Sequence, residues 1–205
     1  MYLFIKRCFD IVSSFFVILF LSLPLIVIAI IVKCSSKGPV LFKDVRVGKH
    51  GKTIKVLKFR SMYIDAEQRL EKYLTPAEIE EWKRERKIAN DPRITKIGKF
   101  LRKTSLDELP QLFNILFGSM SVVGPRPITK QELDEHYTDE QKKILLSARP
   151  GLISNWGVNG RSEVLFLNGK RQELELEYFK KRSLWFDLKL IFKAIGAVFS
   201  SKGAS

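Results

Sequence analysis

Residues Ile11 to Val32 form 22 consecutive positions without a charged side chain, broken only by Ser13, Ser14, Ser22 and Pro24. A straight helix of that length spans about 33 Å, the depth of a bilayer's hydrocarbon core. Any fold for this chain must therefore accommodate a segment resting in lipid. The stretch is too long for the apolar part of a signal peptide, and Lys33-Cys34-Ser35-Ser36-Lys37 offers no small-x-small cleavage pattern, so it is expected to stay attached. Lys6 and Arg7 precede it, and Lys33, Lys37, Lys43, Arg46, Lys49, Lys52, Lys55, Lys58 and Arg60 follow it. Cationic flanks stay on the cytoplasmic side, which disfavours export of either end. Pro24 removes the hydrogen bond to the Phe20 carbonyl and forces a bend, with Ser22 placed to satisfy a freed backbone group. The expectation is a re-entrant helical hairpin within residues 1–36, kinked at Ser22 and Pro24, that enters and leaves on one face. The alternative is a kinked spanning helix.

The remaining residues, 37–205, are about enough for one domain. Lys and Arg number 36 against 22 Asp and Glu, a net charge of +14, so the partner is an anion: nucleic acid, an acidic membrane surface or a phosphorylated small molecule. Cys8 and Cys34 are too few for a disulfide framework and, with only His50 and His136, form no zinc-ligand spacing. Gly51-Lys52-Thr53 resembles the tail of a P-loop, but Arg46 stands where that motif needs its first glycine. A nucleotide P-loop is excluded.

Beyond the apolar run, Pro39 to Phe42 and Thr53 to Phe59 read as two strands around a turn-rich Val47 to Lys52. From Ile64 the pattern turns helical and charged, with a capping box at Thr75-Pro76-Ala77-Glu78 and a stop at Asn90-Asp91-Pro92. Ile94, Ile97, Phe100 and Leu101 give a short amphipathic helix. Near the C-terminus Leu184, Leu188, Ile191, Phe192, Ile195, Val198 and Phe199 recur at helical spacing among lysines, which suits either a core helix or an interfacial one. The expected fold class is α+β and mostly helical: an N-terminal re-entrant membrane helix hairpin, then a small cytosolic domain with a short β element and amphipathic interfacial helices.

Ser105-Leu106-Asp107-Glu108-Leu109-Pro110 places two carboxylates just after the acid-free cationic stretch Arg93, Lys96, Lys99, Arg102 and Lys103. A polyphosphate drawn to those cations would arrive beside Asp107. With Asp107 near a helix N-cap, Pro110 falls at the third helical position, where its missing N–H costs nothing. The helix dipole there would keep Asp107 ionised and favour phosphate oxygens. An ionised carboxylate can attack phosphorus or bind Mg²⁺, and adjacency lets Asp107 and Glu108 divide those tasks. In Gly124-Pro125-Arg126-Pro127, two prolines stiffen the backbone around one guanidinium, which suits bidentate phosphate recognition.

The broken apolar N-terminus, Lys58-Phe59-Arg60-Ser61-Met62, Asp91-Pro92-Arg93, Ser105 to Pro110, Gly124 to Pro127 and Val158-Asn159-Gly160-Arg161 resemble, in order and spacing, the bacterial sugar transferase family, over about Phe4 to Phe199. Its members are monotopic polyprenyl-phosphate phosphoglycosyl transferases. The resemblance implies transfer of sugar-1-phosphate from a UDP-sugar to undecaprenyl phosphate, with Mg²⁺, at the cytoplasmic face of the bacterial inner membrane. It implies that Asp107 attacks the sugar-bearing phosphorus and releases UMP, that Glu108 positions metal or acceptor, and that Asp107 and Glu108 are the metal ligands. It also implies that Lys58, Arg102 and Arg126 hold phosphates and that Arg161 contributes to donor binding. Partners are then the UDP-sugar, undecaprenyl phosphate and the lipid bilayer, without nucleic acid; a homodimer stays open. The late motif departs from the family's usual Pro-Gly-x-Thr-Gly, since Ile153 and Ser154 hold the Thr and Gly positions and Gly157 a usual Gln position. With no multi-span region before the first motif, the chain resembles the minimal catalytic unit. The rival classes are a non-catalytic basic membrane-surface protein and a nucleic-acid binder; the latter lacks basic residues interleaved with aromatics on a recognisable module.

Overall fold

The computed structural model describes residues 1–76, 78–80, 91–160 and 169–199. The apolar segment forms two helices, α1 (Tyr2–Phe20) and α2 (Ser22–Ser35), bent by 66° at Leu21. Among the described residues no single helix is long and apolar enough to cross a membrane. Pro24 sits in the first turn of α2, where its missing N–H interrupts little, while the neighbouring Leu25 amide still reaches the Leu21 carbonyl at 2.8 Å. The expected help from Ser22 is absent, because no side-chain hydrogen bond caps α2.

The polarity of α1 is inverted relative to a soluble helix. Its buried residues are Asp10 and Ser14, whereas Phe4 (74% exposed), Phe16 (61%) and Phe20 (85%) point outward with Phe9, Val12, Phe15 and Leu19. The polar stripe is spent on the body of the protein. Asp10 Oδ1 accepts from the Val122 amide at 2.9 Å and the Ser121 hydroxyl at 3.1 Å. Arg7 donates to the carbonyls of Ile115 and Leu116, the open end of a helix described below. Lys6 and Tyr2 both reach Asp187.

The expected strands are present as an antiparallel pair, β1 (Leu41–Val47) and β2 (Thr53–Phe59), in the register Leu41 to Phe59 through Val47 to Thr53. β1 runs further than the Pro39 to Phe42 expected, since Lys43, Asp44 and Arg46 occupy strand positions despite their charge. After α3 (Ala66–Tyr73), the Thr75 and Glu78 side chains cap each other's backbone amides as anticipated. Then come α4 (Lys96–Thr104) and the short α5 (Gln111–Leu116). A second, parallel pair, β3 (Ser121–Val123) and β4 (Gly151–Ile153), was not visible in the pattern because each strand has only three residues. Between them lie α6 (Lys130–His136) and α7 (Asp139–Leu145), both opened by capping boxes. Helices α8 (Asn155–Asn159), α9 (Lys170–Lys181) and α10 (Leu184–Phe199) complete the mostly helical chain.

The first two helices form part of the core. Leu25 and Val32 of α2 pack with Phe59 and Leu101, flanked by Leu21, Ile28, Leu106 and Leu109, so the segment around Asp107 rests on the bent helix pair. Val56, Leu112, Ile115 and Met120 form the next cluster and receive Ile18 of α1. Helix α10 has a core face, with Leu190 buried against Val123 and Tyr178, and its other side leaves Trp185 (77%) and Phe192 (69%) exposed.

Candidate active site

Helix α4 carries the cationic half of the site. Thr95 caps it by accepting from the Gly98 amide, and Ser105 ends it in the left-handed conformation at φ 57°. That reversal corrects the expected register. Leu106 to Glu108 form a single 3-10 turn, and Pro110 is the N-cap of α5. The two carboxylates thus precede the helix instead of lying in its first turn, and Ser105 makes no side-chain cap there.

Asp107 is buried, 8% exposed, and Glu108 less so. The expected stabilisation of the Asp107 anion by a helix's first turn does not operate, since the residue precedes α5. Burial, and then the adjacent Glu108 charge, push its carboxyl up to about 6, against the opposing pull of Lys58 and Arg102. It is therefore a basic carboxylate that is still mostly ionised at neutral pH. Lys58 reaches in from β2 and donates to Glu108 Oε1 at 3.3 Å. Arg102 Nε donates to Ser61 Oγ at 2.8 Å, which aims its guanidinium along the strand end; burial pulls its pKa down, countered by Asp107 and Asp91. Beside it, Asp91 accepts a bidentate pair from Arg93, with Nη2 to Oδ2 at 2.7 Å. Burial works against the Asp91 anion, yet Arg93 holds its carboxyl below the usual range.

Three contacts fix this arrangement. Asn114 of α5 accepts from the Leu57 amide and donates to the Lys55 carbonyl, both at 2.8 Å, filling the free edge of β2 and locking the helix after Asp107 to the strand of Lys58. The Thr95 amide donates to the Ser61 carbonyl at 3.0 Å. Gly98 lies so close to that carbonyl that an added Cβ would sit 2.0 Å from it.

Arg126 belongs to a second cluster. Gly124 and Gly151 touch across β3 and β4, where a Cβ on Gly151 would lie 2.1 Å from the Gly124 amide, and this contact draws the Gly124 to Pro127 segment against the late motif. The Arg126 amide donates to Glu175 Oε2 at 3.1 Å, and its guanidinium lies 5.1 Å from the Trp156 ring centre. Arg171 lies over the same ring at 4.3 Å. Glu175 is 1% exposed, and burial pushes its carboxyl up to about 7. The altered late motif has structural work of its own, since Ser154 caps α8 and Asn155 donates to the Leu174 carbonyl at 2.6 Å. Arg161 lies outside the described residues.

The structure thus brings Lys58, Arg102, Asp107 and Glu108 together as expected and adds Ser61, Asn114, Asp91 and Arg93. Trp156, Arg171 and Glu175 carried no sequence signal beyond their type. Among the described residues no third His, Cys, Asp or Glu groups with Asp107 and Glu108, so these two carboxylates are the ones that could hold a divalent ion here.

Comparison with known proteins gives the same direction. A family model described as bacterial sugar transferase matches residues 1–201. The undecaprenyl-phosphate galactose phosphotransferase of Salmonella typhimurium is 42% identical over 203 residues, covering 98% of this chain and 42% of the relative. The UDP-glucose:undecaprenyl-phosphate glucose-1-phosphate transferase of Escherichia coli is 42% identical over 206 residues, which is 98% of this chain and 41% of the relative. The exopolysaccharide production protein ExoY of Rhizobium meliloti is 41% identical over 201 residues, 97% of this chain and 87% of that protein. The chain spans about two-fifths of the length of the first two. With a match over nearly every residue and relatives at this identity, the chain belongs to the bacterial sugar transferase family.

Proposed function

We propose that this chain transfers sugar-1-phosphate from a UDP-sugar to undecaprenyl phosphate at the cytoplasmic face of the bacterial inner membrane, giving the diphosphate-linked lipid and UMP, and so begins assembly of a surface polysaccharide. The observation that carries the reading is Asp107: a buried, basic carboxylate set between Lys58 and Arg102 and resting on the bent membrane helix pair. The names of the relatives, which include transferases using UDP-glucose and undecaprenyl phosphate, support the substrates.

Both substrates are phosphate anions, and direct reaction would force their charges together. A carboxylate intermediate divides the transfer into two displacements. An Asp107 oxygen attacks the sugar-bearing phosphorus, the bond to the UMP oxygen breaks, and UMP leaves with the electron pair. A phosphate oxygen of the lipid then attacks the same phosphorus and frees the Asp107 carboxylate. Lys58 and Arg102 offset charge on the equatorial oxygens, and the raised basicity of Asp107 strengthens it as a nucleophile. Mg²⁺ held by Glu108, Asp107 and the donor diphosphate would neutralise the same oxygens. Arg126, stiffened by its prolines, holds a phosphate of the donor.

The hairpin reading rests on the inverted polarity of α1. Phenylalanines facing outward along the whole helix are costly in water and favourable in lipid. Residues 1–36 then lie in one leaflet and residues 37–205 on its surface, where the acceptor's phosphate is confined.

The test uses purified protein in lipid nanodiscs with Mg²⁺ and a panel of UDP-sugars. UMP release that depends on undecaprenyl phosphate is expected, with a phosphosugar adduct on the protein when the lipid is withheld. Asp107→Asn is expected to abolish turnover while membrane association persists. Retained turnover in that variant would refute the nucleophile assignment.

A further inference from the structure

Arg60 is the first residue after β2 and is 7% exposed. It turns away from the candidate active site and back onto the end of the membrane hairpin. Nη2 donates to the Val32 carbonyl at 3.1 Å and to the Ser36 carbonyl and hydroxyl at 2.6 and 3.1 Å, while Nη1 donates to the Lys37 carbonyl at 2.9 Å. These are carbonyls at and just beyond the last turn of α2, which no helical amide can satisfy. The backbone joins in, since the Arg60 amide donates to the Val40 carbonyl at 2.9 Å. Gly38 makes room for the guanidinium: it adopts φ +123°, and a Cβ there would lie 2.3 Å from Nη1.

The neighbours of Arg60 face the other way. Lys58 pairs with Glu108, and Ser61 holds the Arg102 side chain through its hydroxyl and the Thr95 amide through its carbonyl. Of the four consecutive residues 58 to 61, one side chain therefore grips the end of α2, a second the Glu108 carboxylate and a third the Arg102 guanidinium. The remaining one, Phe59, packs on Leu25, Val32 and Leu101 between them.

From this geometry we infer that Arg60 is a positioning residue that sets the height of Asp107 above the lipid, and that it serves the lipid step of the proposed two-step reaction and not the donor step. The inference rests on the function proposed above. A nucleotide sugar arrives from water and adjusts to the site wherever the site stands. The acceptor's phosphate has no such freedom, because its chain is anchored in the bilayer and its height is fixed by the headgroup plane. A displacement of about 1 Å between reacting groups costs on the order of 100-fold in rate. A loosened clamp therefore penalises the substrate that cannot follow.

The experiment compares the two half-reactions in the full chain in nanodiscs for wild type, Arg60→Lys and Arg60→Gln. UMP released per enzyme without lipid acceptor is expected to stay within about twofold in both variants. Transfer to undecaprenyl phosphate in the bilayer is expected to fall by about tenfold or more. A short-chain, water-soluble polyprenyl phosphate is expected to restore most of that rate, a recovery that general damage to the fold would not permit. Gly38→Ala drives a methyl group against the same guanidinium and is expected to give the same pattern. Equal losses in both half-reactions, or unchanged transfer to the bilayer acceptor, would overturn the inference. A wild-type enzyme that releases no UMP without acceptor would instead overturn the covalent reading beneath it.

Discussion

Substituting Gly98 by alanine sets two effects against each other. In an exposed helix the change stabilises by about 1 kcal/mol, because glycine loses more backbone freedom on folding. Here the added Cβ would lie 2.0 Å from the Ser61 carbonyl oxygen, 2.7 Å from its carbon and 2.9 Å from its Cα, all backbone atoms that no rotamer change can move. To reach ordinary contact at 3.4 Å, α4 must retreat by about 1.4 Å. That shift takes the Thr95 amide, now 3.0 Å from the Ser61 carbonyl, and the Arg102 Nε, now 2.8 Å from the Ser61 hydroxyl, beyond hydrogen-bond reach. Overpacking costs about 1–3 kcal/mol and the two lost bonds about 1 kcal/mol each, so the net is a destabilisation of about 2–4 kcal/mol. At roughly 2–4 °C per kcal/mol for a chain of this size, the apparent Tm should fall by about 5–15 °C. Arg102 also withdraws from Asp107, for which a loss of about 100-fold in transferase rate is expected. Thermal unfolding by intrinsic fluorescence in nanodiscs and a UMP-release assay read the two effects. A Gly98→Ala protein with the wild-type Tm or a higher one would show that helix propensity outweighs the contact, and the reasoning would fail.

Glu175 makes stability depend on pH. Its folded pKa of about 7 lies above the ordinary 4.5, so the folded state holds the proton more tightly. Stability is then greatest below about pH 4.5 as far as this group is concerned and declines as pH rises to about 7, by at most about 3 kcal/mol. Glu175→Gln should flatten that part of the Tm-against-pH curve and raise Tm at pH 8; an unchanged slope would rule the assignment out. Asp10→Ala should strand the Val122 amide and the Ser121 hydroxyl in a dry contact, for a loss of about 2–3 kcal/mol, whereas Asp10→Asn, which keeps an acceptor oxygen, should lose less. Equal Tm values for the two variants would count against a role for those bonds.

What could be read in advance followed from strong local rules. A run of 22 uncharged residues interrupted by Pro24 announced the bent pair, and the short β-branched and aromatic run Thr53 to Phe59 after a turn-rich segment announced β2. Adjacent carboxylates after an acid-free basic stretch singled out the candidate site. What escaped depends on contacts distant in the chain. The three-residue strands β3 and β4 exist because Gly124 and Gly151 permit a close approach, which no periodicity records. The register of Asp107 turned on Ser105 adopting a left-handed conformation, an option more commonly taken by glycine or asparagine. Its raised pKa comes from burial beneath elements that a local reading cannot place. The clamp made by Arg60 escaped for a related reason, since a basic residue following a strand reads as solvent-facing until Gly38 and the end of α2 are brought beside it.

The inverted first helix is inseparable from the body it packs on. Its carboxylate, guanidinium and ammonium are matched to acceptors and donors more than a hundred positions further along the chain. Grafted onto a foreign protein, the same sequence would carry those groups into hydrocarbon with nothing to meet them, at a cost of several kcal/mol apiece. On the function proposed above, the helix pair is a stable lodger in a bilayer only once the later chain has folded around it, and attachment and maturation become a single event.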